Sequence, residues 1–146
     1  MRFLLDTHAL LWWLTDDSRL SPHARELIAD ESSTILVSAA SAWEIATKHR
    51  LGRLEIATAI VPRFNELIEL DGFEHLPITY LHALKAGSYT IDHRDPFDRM
   101  LAAQSDLDHA RHCIRGVPLQ DDLISLSDPS ASHQGTRRRT CGRSRC

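Results

Sequence analysis

The chain has 146 residues, 42% of them hydrophobic, with 17 basic and 20 acidic side chains and a formal net charge of −3. That is enough apolar material for one domain with a sizeable core, and no run of eighteen apolar residues is present to span a membrane. A mildly acidic chain does not attract polyanions through its overall field, so a nucleic-acid partner would have to be held by local basic groups.

From the N-terminus, Phe3-Leu4-Leu5 is a short apolar run ending at Asp6, followed by Thr7-His8 and then Ala9-Leu10-Leu11-Trp12-Trp13-Leu14. This reads as a buried strand passing into a helix. Asp6, Thr7 and His8 interrupt the segment and no small-residue cleavage site follows, so it is not expected to be a signal peptide, and a cytoplasmic location is expected. Ligands of open α/β sheets gather at the carboxyl ends of strands, which places Asp6 for chemistry; its alternative role is helix capping, by itself or by Thr7.

Thr34 to Ser38 is the expected second strand, and Ala39 to Arg50 the following helix, stopped by Gly52. Glu44 falls in the early turns of that helix. Ser41-Ala42-Trp43-Glu44 also matches a capping box, in which the Glu44 side chain would be tied to the backbone of Ser41, so a structural and a chemical role are both open. Val61 to Leu70, with Phe64, Leu67 and Ile68 on one face, predicts an amphipathic helix ended by Asp71-Gly72. His75 to Ile78 predicts a short strand leading to a helix from Tyr80 to Ala86. Strands alternating with helices imply a parallel sheet.

Gly87 to Arg94 is the expected loop into His93-Arg94-Asp95-Pro96-Phe97-Asp98-Arg99-Met100-Leu101-Ala102-Ala103-Gln104, which puts two carboxylates at the mouth of an apolar helix. Asp95 has the side chain to accept from the first free N–H groups, and Pro96 suits the first helical position. Asp98 falls one turn in, while Phe97, Leu101, Ala102 and Ala103 supply the buried side. Taken alone, these acids can be read as a cap and a complement to the helix dipole.

From Ser105 to Leu119 no convincing strand is visible, and Asp121 and Asp122 follow in a context expected to be solvated surface. His109, His112 and Cys113 are close in sequence, but nothing positions a fourth ligand for a closed zinc site. The last fourteen residues hold five arginines and no acid, a charge of +5, whereas residues 1–132 hold twelve basic and all twenty acidic residues, a charge of −8. Residues 127–146 are expected to be a disordered Arg/Ser-rich tail, and 1–126 one domain.

In order and at plausible spacing, Leu4-Leu5-Asp6-Thr7-His8-Ala9-Leu10-Leu11-Trp12, Val37 to Ala46, Lys48 to Leu54 and His93 to Gln104 resemble the PIN-domain ribonucleases of the VapC type, the toxins of type II toxin–antitoxin pairs. The resemblance runs from Met1 to about Ser105. It implies an α/β, PIN-like domain with a central parallel sheet flanked by helices. By position, Asp6 corresponds to the family's first-strand metal-binding aspartate, Glu44 to its early-helix glutamate and Asp98 to the aspartate before the apolar helix. Asp95 is common in the subgroup without being the usual ligand. The family normally adds another aspartate shortly after a strand that follows this helix. Here the chain departs, and the C-terminal edge strand is expected to be missing or altered; a shifted reading frame near Arg111 would produce such a terminus.

The resemblance further implies a metal-dependent endoribonuclease in which Asp6 and Asp98 hold Mg²⁺ or Mn²⁺ and Glu44 acts through a water. It also implies a VapB-type antitoxin that covers the acidic pocket, and a homodimer. Lys48, Arg50, Arg53, Arg94 and Arg99, with His93, are the candidate RNA contacts, and no membrane partner is expected. Two alternatives belong to other classes. A PIN fold impaired in catalysis would only bind antitoxin or RNA. A receiver-like phosphoacceptor domain would want an acid pair after the first strand and a lysine late in the sheet, and no lysine follows Lys85.

Overall fold

The computed structural model describes residues 1–90 and 95–110 and the backbone of 112–114. Strand β1 (Arg2–Leu5) leads directly into helix α1 (Thr7–Leu14), and after α2 (Pro22–Ala29) strand β2 (Thr34–Ser38) leads directly into α3 (Ala39–Arg50). Helix α4 (Ala57–Ile60), a 3-10 turn (Val61–Arg63) and α5 (Phe64–Leu70) connect to β3 (Glu74–Leu76); α6 (Tyr80–Ser88), α7 (Pro96–Leu107) and β4 (His112–Ile114) complete the order.

All strand pairs are parallel, in the order β3-β2-β1-β4. Leu4 stands opposite Leu36, and Ser38 opposite Leu76. The period-two alternation of the strands sorts their side chains onto two faces. Phe3, Leu5, Ile35 and Val37 join a large core with Leu10, Trp13, Ile28, Ile45 and Ile68, whereas Leu4 and Leu36 pack with Leu76, Leu101 and Ala110 on the opposite side. A parallel sheet covered on both faces is why its strands read as continuous apolar runs.

One expectation is corrected here. Residues 105–119 do contain a strand, since His112–Ile114 pairs with β1 through Phe3↔His112, Leu4↔Cys113 and Leu5↔Ile114. It is only three residues long, and its hydrogen bonds to the edge of β1 define it, not a run of β-branched residues. Its side chains, and everything after Ile114, lie outside the described residues, as do His93, Arg94, Asp121, Asp122 and the whole tail.

Other elements differ in detail. The expected helix over 61–70 starts as a 3-10 turn because Pro62 has no N–H for the α ladder and its ring blocks the preceding turn. Strand β3 stops at Leu76, before Pro77, which cannot donate to a ladder. Helix α2 was not anticipated; Ser21 caps it by accepting from the Ala24 N–H at 3.2 Å, Pro22 opens it, and Ala24 and Ile28 bury its inner face. Helix α3 ends as expected. Gly52 adopts φ +68, and the N–H groups of Gly52 and Arg53 donate to the carbonyls of His49 and Lys48, both at 2.9 Å.

Candidate active site at the carboxyl ends of the first two strands

Asp6 follows β1 without a spacer, and the β1/β2 register carried two residues beyond Leu4 and Leu36 sets it beside Ser38. Its extended backbone and the His8 N–H, which donates to Oδ2 at 3.2 Å, make it the N-cap of α1. Capping uses one carboxylate oxygen and leaves the side chain 14% exposed at the carboxyl end of β1, so the cap does not exclude a second role. His8 Nδ1 lies 3.6 Å from Oδ2. The Asp6 carboxylate beside the imidazole raises the His8 pKa against the opposing effect of burial; Lys48 and Glu44 are close enough to act on the same imidazole, one lowering and one raising.

Glu44 is the deepest of the three expected acids, with a side chain only 6% exposed. The capping-box reading of this residue is overturned. The N-cap of α3 is Ser38, whose Oγ accepts from the Ala40 N–H at 2.9 Å, so Ser41 is already inside the helix. The Thr7 hydroxyl instead donates to Ser41 Oγ at 3.1 Å, a buried link between the first turns of α1 and α3. Glu44 lies one turn beyond that link, where Oε1 accepts from Lys48 Nζ at 2.5 Å. The ammonium four residues on is the polar partner that this buried carboxylate needs, since a buried charge left unpaired is costly.

Helix α7 brings the third acid. Asp95 caps it as the sequence predicts, accepting from the Phe97 N–H at 2.8 Å, with Pro96 in the first turn and Asp98 exposed behind it. Two contacts dock this helix. Phe97, next to Asp98, meets Trp43, next to Glu44, edge to face with ring centroids 4.8 Å apart. Farther along, fully buried Gln104 accepts from the Ser38 hydroxyl at 2.5 Å through Oε1 and donates to the Pro77 carbonyl at 3.2 Å through Nε2. Gln104 thereby ties α7 to the ends of β2 and β3.

The expected acids therefore sit on α1, α3 and α7, of which α1 and α3 start at the carboxyl ends of the two inner strands and α7 packs against α3. Asp6 and Glu44 both act on His8, and Asp98 is carried by a helix that packs against α3. Among the described residues, no three His, Cys, Asp or Glu side chains form a group that could hold a metal ion. Carboxylate oxygens are the ligands that a hard cation such as Mg²⁺ prefers, but the described residues do not assemble a site of that kind. Of the expected RNA contacts, Lys48 is engaged with Glu44, Arg50 and Arg53 are exposed near the end of α3, and Arg99 is half-buried.

Sequence reading had no signal for the Lys48–Glu44 pair beyond its spacing of four. It also missed the clamp formed by Gln104 and the Trp43–Phe97 contact, which join residues far apart in the chain.

Residues 3–114 match the family model described as PIN domain, so the match reaches past Ser105 and through β4. No curated protein and no solved structure gives a significant match. PIN domains are nuclease domains that act on RNA and generally depend on a divalent metal, and in this chain Asp6 stands at the carboxyl end of a parallel strand, where ligands of open α/β sheets gather. With the match spanning most of the chain, this protein belongs to the PIN-domain family of nucleases.

Proposed function

We propose that this nuclease is a VapC-type endoribonuclease toxin, with Asp6, Glu44 and Asp98 as its acidic centre. The observation that carries this reading is Glu44, a buried carboxylate supported by Lys48, one helical turn from the hydroxyl link that joins α3 to the start of α1 beside Asp6. Acids are seldom fully buried unless paired, and this one lies on the helix that leaves the carboxyl end of β2, where ligands of open α/β sheets gather.

Asp6 and Asp98 would hold Mg²⁺ or Mn²⁺, and such an ion would supply acidity to a coordinated water and offset charge on the phosphate in the transition state. Glu44 acts on the attacking water, accepting its proton or orienting it for in-line displacement at phosphorus. The departing ribose oxygen leaves opposite that water. The exposed Arg50 and Arg53 side chains supply local positive charge to an RNA backbone that the acidic chain as a whole would not attract.

The same reading includes a VapB-type antitoxin laid over the acidic centre, with an arginine directed into it, and a homodimer. Support comes from exposed apolar side chains. Trp43 on α3 is 59% exposed, and Leu81 and Leu84 on α6 are 57% and 69% exposed; a partner would cover surfaces of this kind. The domain would occupy residues 1–126.

The test is incubation of the purified chain, free of antitoxin, with total cellular RNA in Mg²⁺ or Mn²⁺. Discrete, metal-dependent fragments are expected. Intact RNA in both metals, together with retained antitoxin binding, would replace this reading with that of a PIN fold that only binds.

A further inference from the structure

This inference deepens the proposed function: it rests on RNA being the substrate of this chain, and on neither a metal nor the three acids. We propose that Trp43 is a stacking platform for one unpaired base of that RNA, with the strand running on along α3 toward Arg50 and Arg53.

Trp43 is 59% exposed, and among the described residues of α3 it is the single large apolar side chain left in solvent. One exposed apolar residue needs no explanation by itself. This one is distinguished by what holds it and by what lies along its face. Half-buried Phe97 of α7 meets the indole edge to face, with ring centroids 4.8 Å apart. The contact braces the indole, so the ring is ordered before a ligand arrives and little rotamer freedom remains to be lost on stacking.

Helical spacing sets the rest of the face. Ala46 and Arg50 are exposed three and seven residues on, and half-buried Thr47 is four on, so these residues share one side of α3 with Trp43. Two small side chains therefore separate an aromatic ring from a guanidinium, over about 10 Å along the helix axis. Arg19, Arg25 and Arg63 each pair with a carboxylate, whereas among the described residues Arg50 and Arg53 pair with none. Their donors are left for phosphate oxygens.

An aromatic ring followed by unpaired cations is the combination that holds single strands, the ring taking a base face and the cations the backbone. A docking groove for protein would line α3 with further apolar side chains, which Ala46, Thr47 and Arg50 do not supply. The base must be unpaired, because the bases of a duplex are stacked on one another and present no free face. Helix α3 leaves the carboxyl end of β2, where ligands of open α/β sheets gather.

Fluorescence anisotropy of labelled RNA, with the intact chain in excess chelator, tests the inference. Three probes are compared: a short single strand of mixed sequence, that strand annealed to its complement, and an abasic strand of equal charge. The chains are the parent, Trp43→Phe, Trp43→Leu and Arg50→Gln, each checked for its fold by circular dichroism. The parent is expected to bind the single strand about tenfold or more tightly than the abasic strand. Trp43→Leu should lose that preference while binding the duplex as the parent does, and Trp43→Phe should stay within about threefold of the parent. Arg50→Gln should weaken all three probes and lower the salt dependence by about one phosphate contact. Single-strand binding should quench tryptophan emission more in the parent than in Trp43→Phe.

Equal affinity of the parent for the base-bearing and abasic strands would overturn the inference, and that result needs no variant to fold. Single-strand binding by Trp43→Leu equal to the parent's would also overturn it and leave the indole to a protein contact. Equal losses for single strand and duplex in Trp43→Leu would overturn it as well, as would parental binding by Arg50→Gln. If the parent binds none of the probes yet cleaves RNA when Mg²⁺ is added, this inference falls and the proposed function stands. Base-dependent binding without cleavage in either metal would have the opposite meaning.

Discussion

Glu44 shows how one residue can satisfy a local pattern and serve another purpose. Ser41-x-x-Glu44 has the spacing of a capping box, yet β2 ends at Ser38 and that serine takes the cap, leaving Ser41 to Thr7 and Glu44 to Lys48. Glu44→Gln keeps an oxygen for Lys48 and loses the charge. Cleavage is expected to fall by about 100-fold or more if Glu44 handles the proton of the attacking water, and a rate within twofold of the parent would assign the residue to structure.

His8 provides a second check at this scale. Its pKa is raised above the usual 6.5 first by the adjacent Asp6 carboxylate. A raised folded-state value means that the stability contribution is fully present below the unfolded pKa and fades as the pH rises through the higher folded value. NMR titration of the metal-free chain should place His8 above 6.5, and Asp6→Asn should bring it down. A value unchanged by that substitution would show that Asp6 is not the cause.

Among the elements, α7 was the most legible in the sequence and α2 the least. The Asp95-Pro96 start of α7 is written in two residues with strong positional preferences, and both do what those preferences say. Helix α2 spans eight residues with two buried side chains, too little periodicity to stand out, although Ser21-Pro22 carried the same kind of start signal. Strand β4 was hidden for a different reason. Three residues acquire strand structure from the open edge of β1, and no local propensity announces a partner more than a hundred positions away.

What holds α7 in place was equally invisible, because Gln104 looks like an ordinary polar residue at the end of an alanine run. Gln104→Leu would leave the buried Ser38 hydroxyl without its acceptor. It should destabilise the chain by about 2–3 kcal/mol in urea denaturation, and by loosening α7 it should also lower cleavage through Asp98. Asp95→Ala, which removes only the cap, should cost about 1 kcal/mol. A neutral effect of Gln104→Leu would mean that the clamp does not bear on the fold.

For the whole molecule, the parallel sheet and its two covered faces followed from alternating strands and helices. The arrangement of the elements that carry the acids required the structure, since the order in which strands lie side by side is not written in any one segment. No helix among the described residues is long and apolar enough to cross a membrane. Residues 127–146 are rich in Arg and Ser and poor in apolar side chains, so their removal should leave the melting temperature within about 2–4 °C of the parent, the shift that about 1 kcal/mol produces in domains of this size class. A collapse on truncation would place the domain boundary farther along the chain.

The central claim is that Asp6, Glu44 and Asp98 form one metal-dependent centre for RNA cleavage. Single-turnover cleavage of a defined RNA in Mg²⁺, compared between the parent and Asp6→Asn and Asp98→Asn, tests it most directly. Both substitutions keep side-chain shape, and asparagine still caps α1 in place of Asp6, so both variants should fold and, without metal, melt at or above the parental temperature as charge repulsion is relieved. The account predicts Mg²⁺-dependent cleavage by the parent and its loss in both folded variants. Cleavage at the parental rate by either folded variant, or cleavage by the parent that persists in excess chelator, would contradict it.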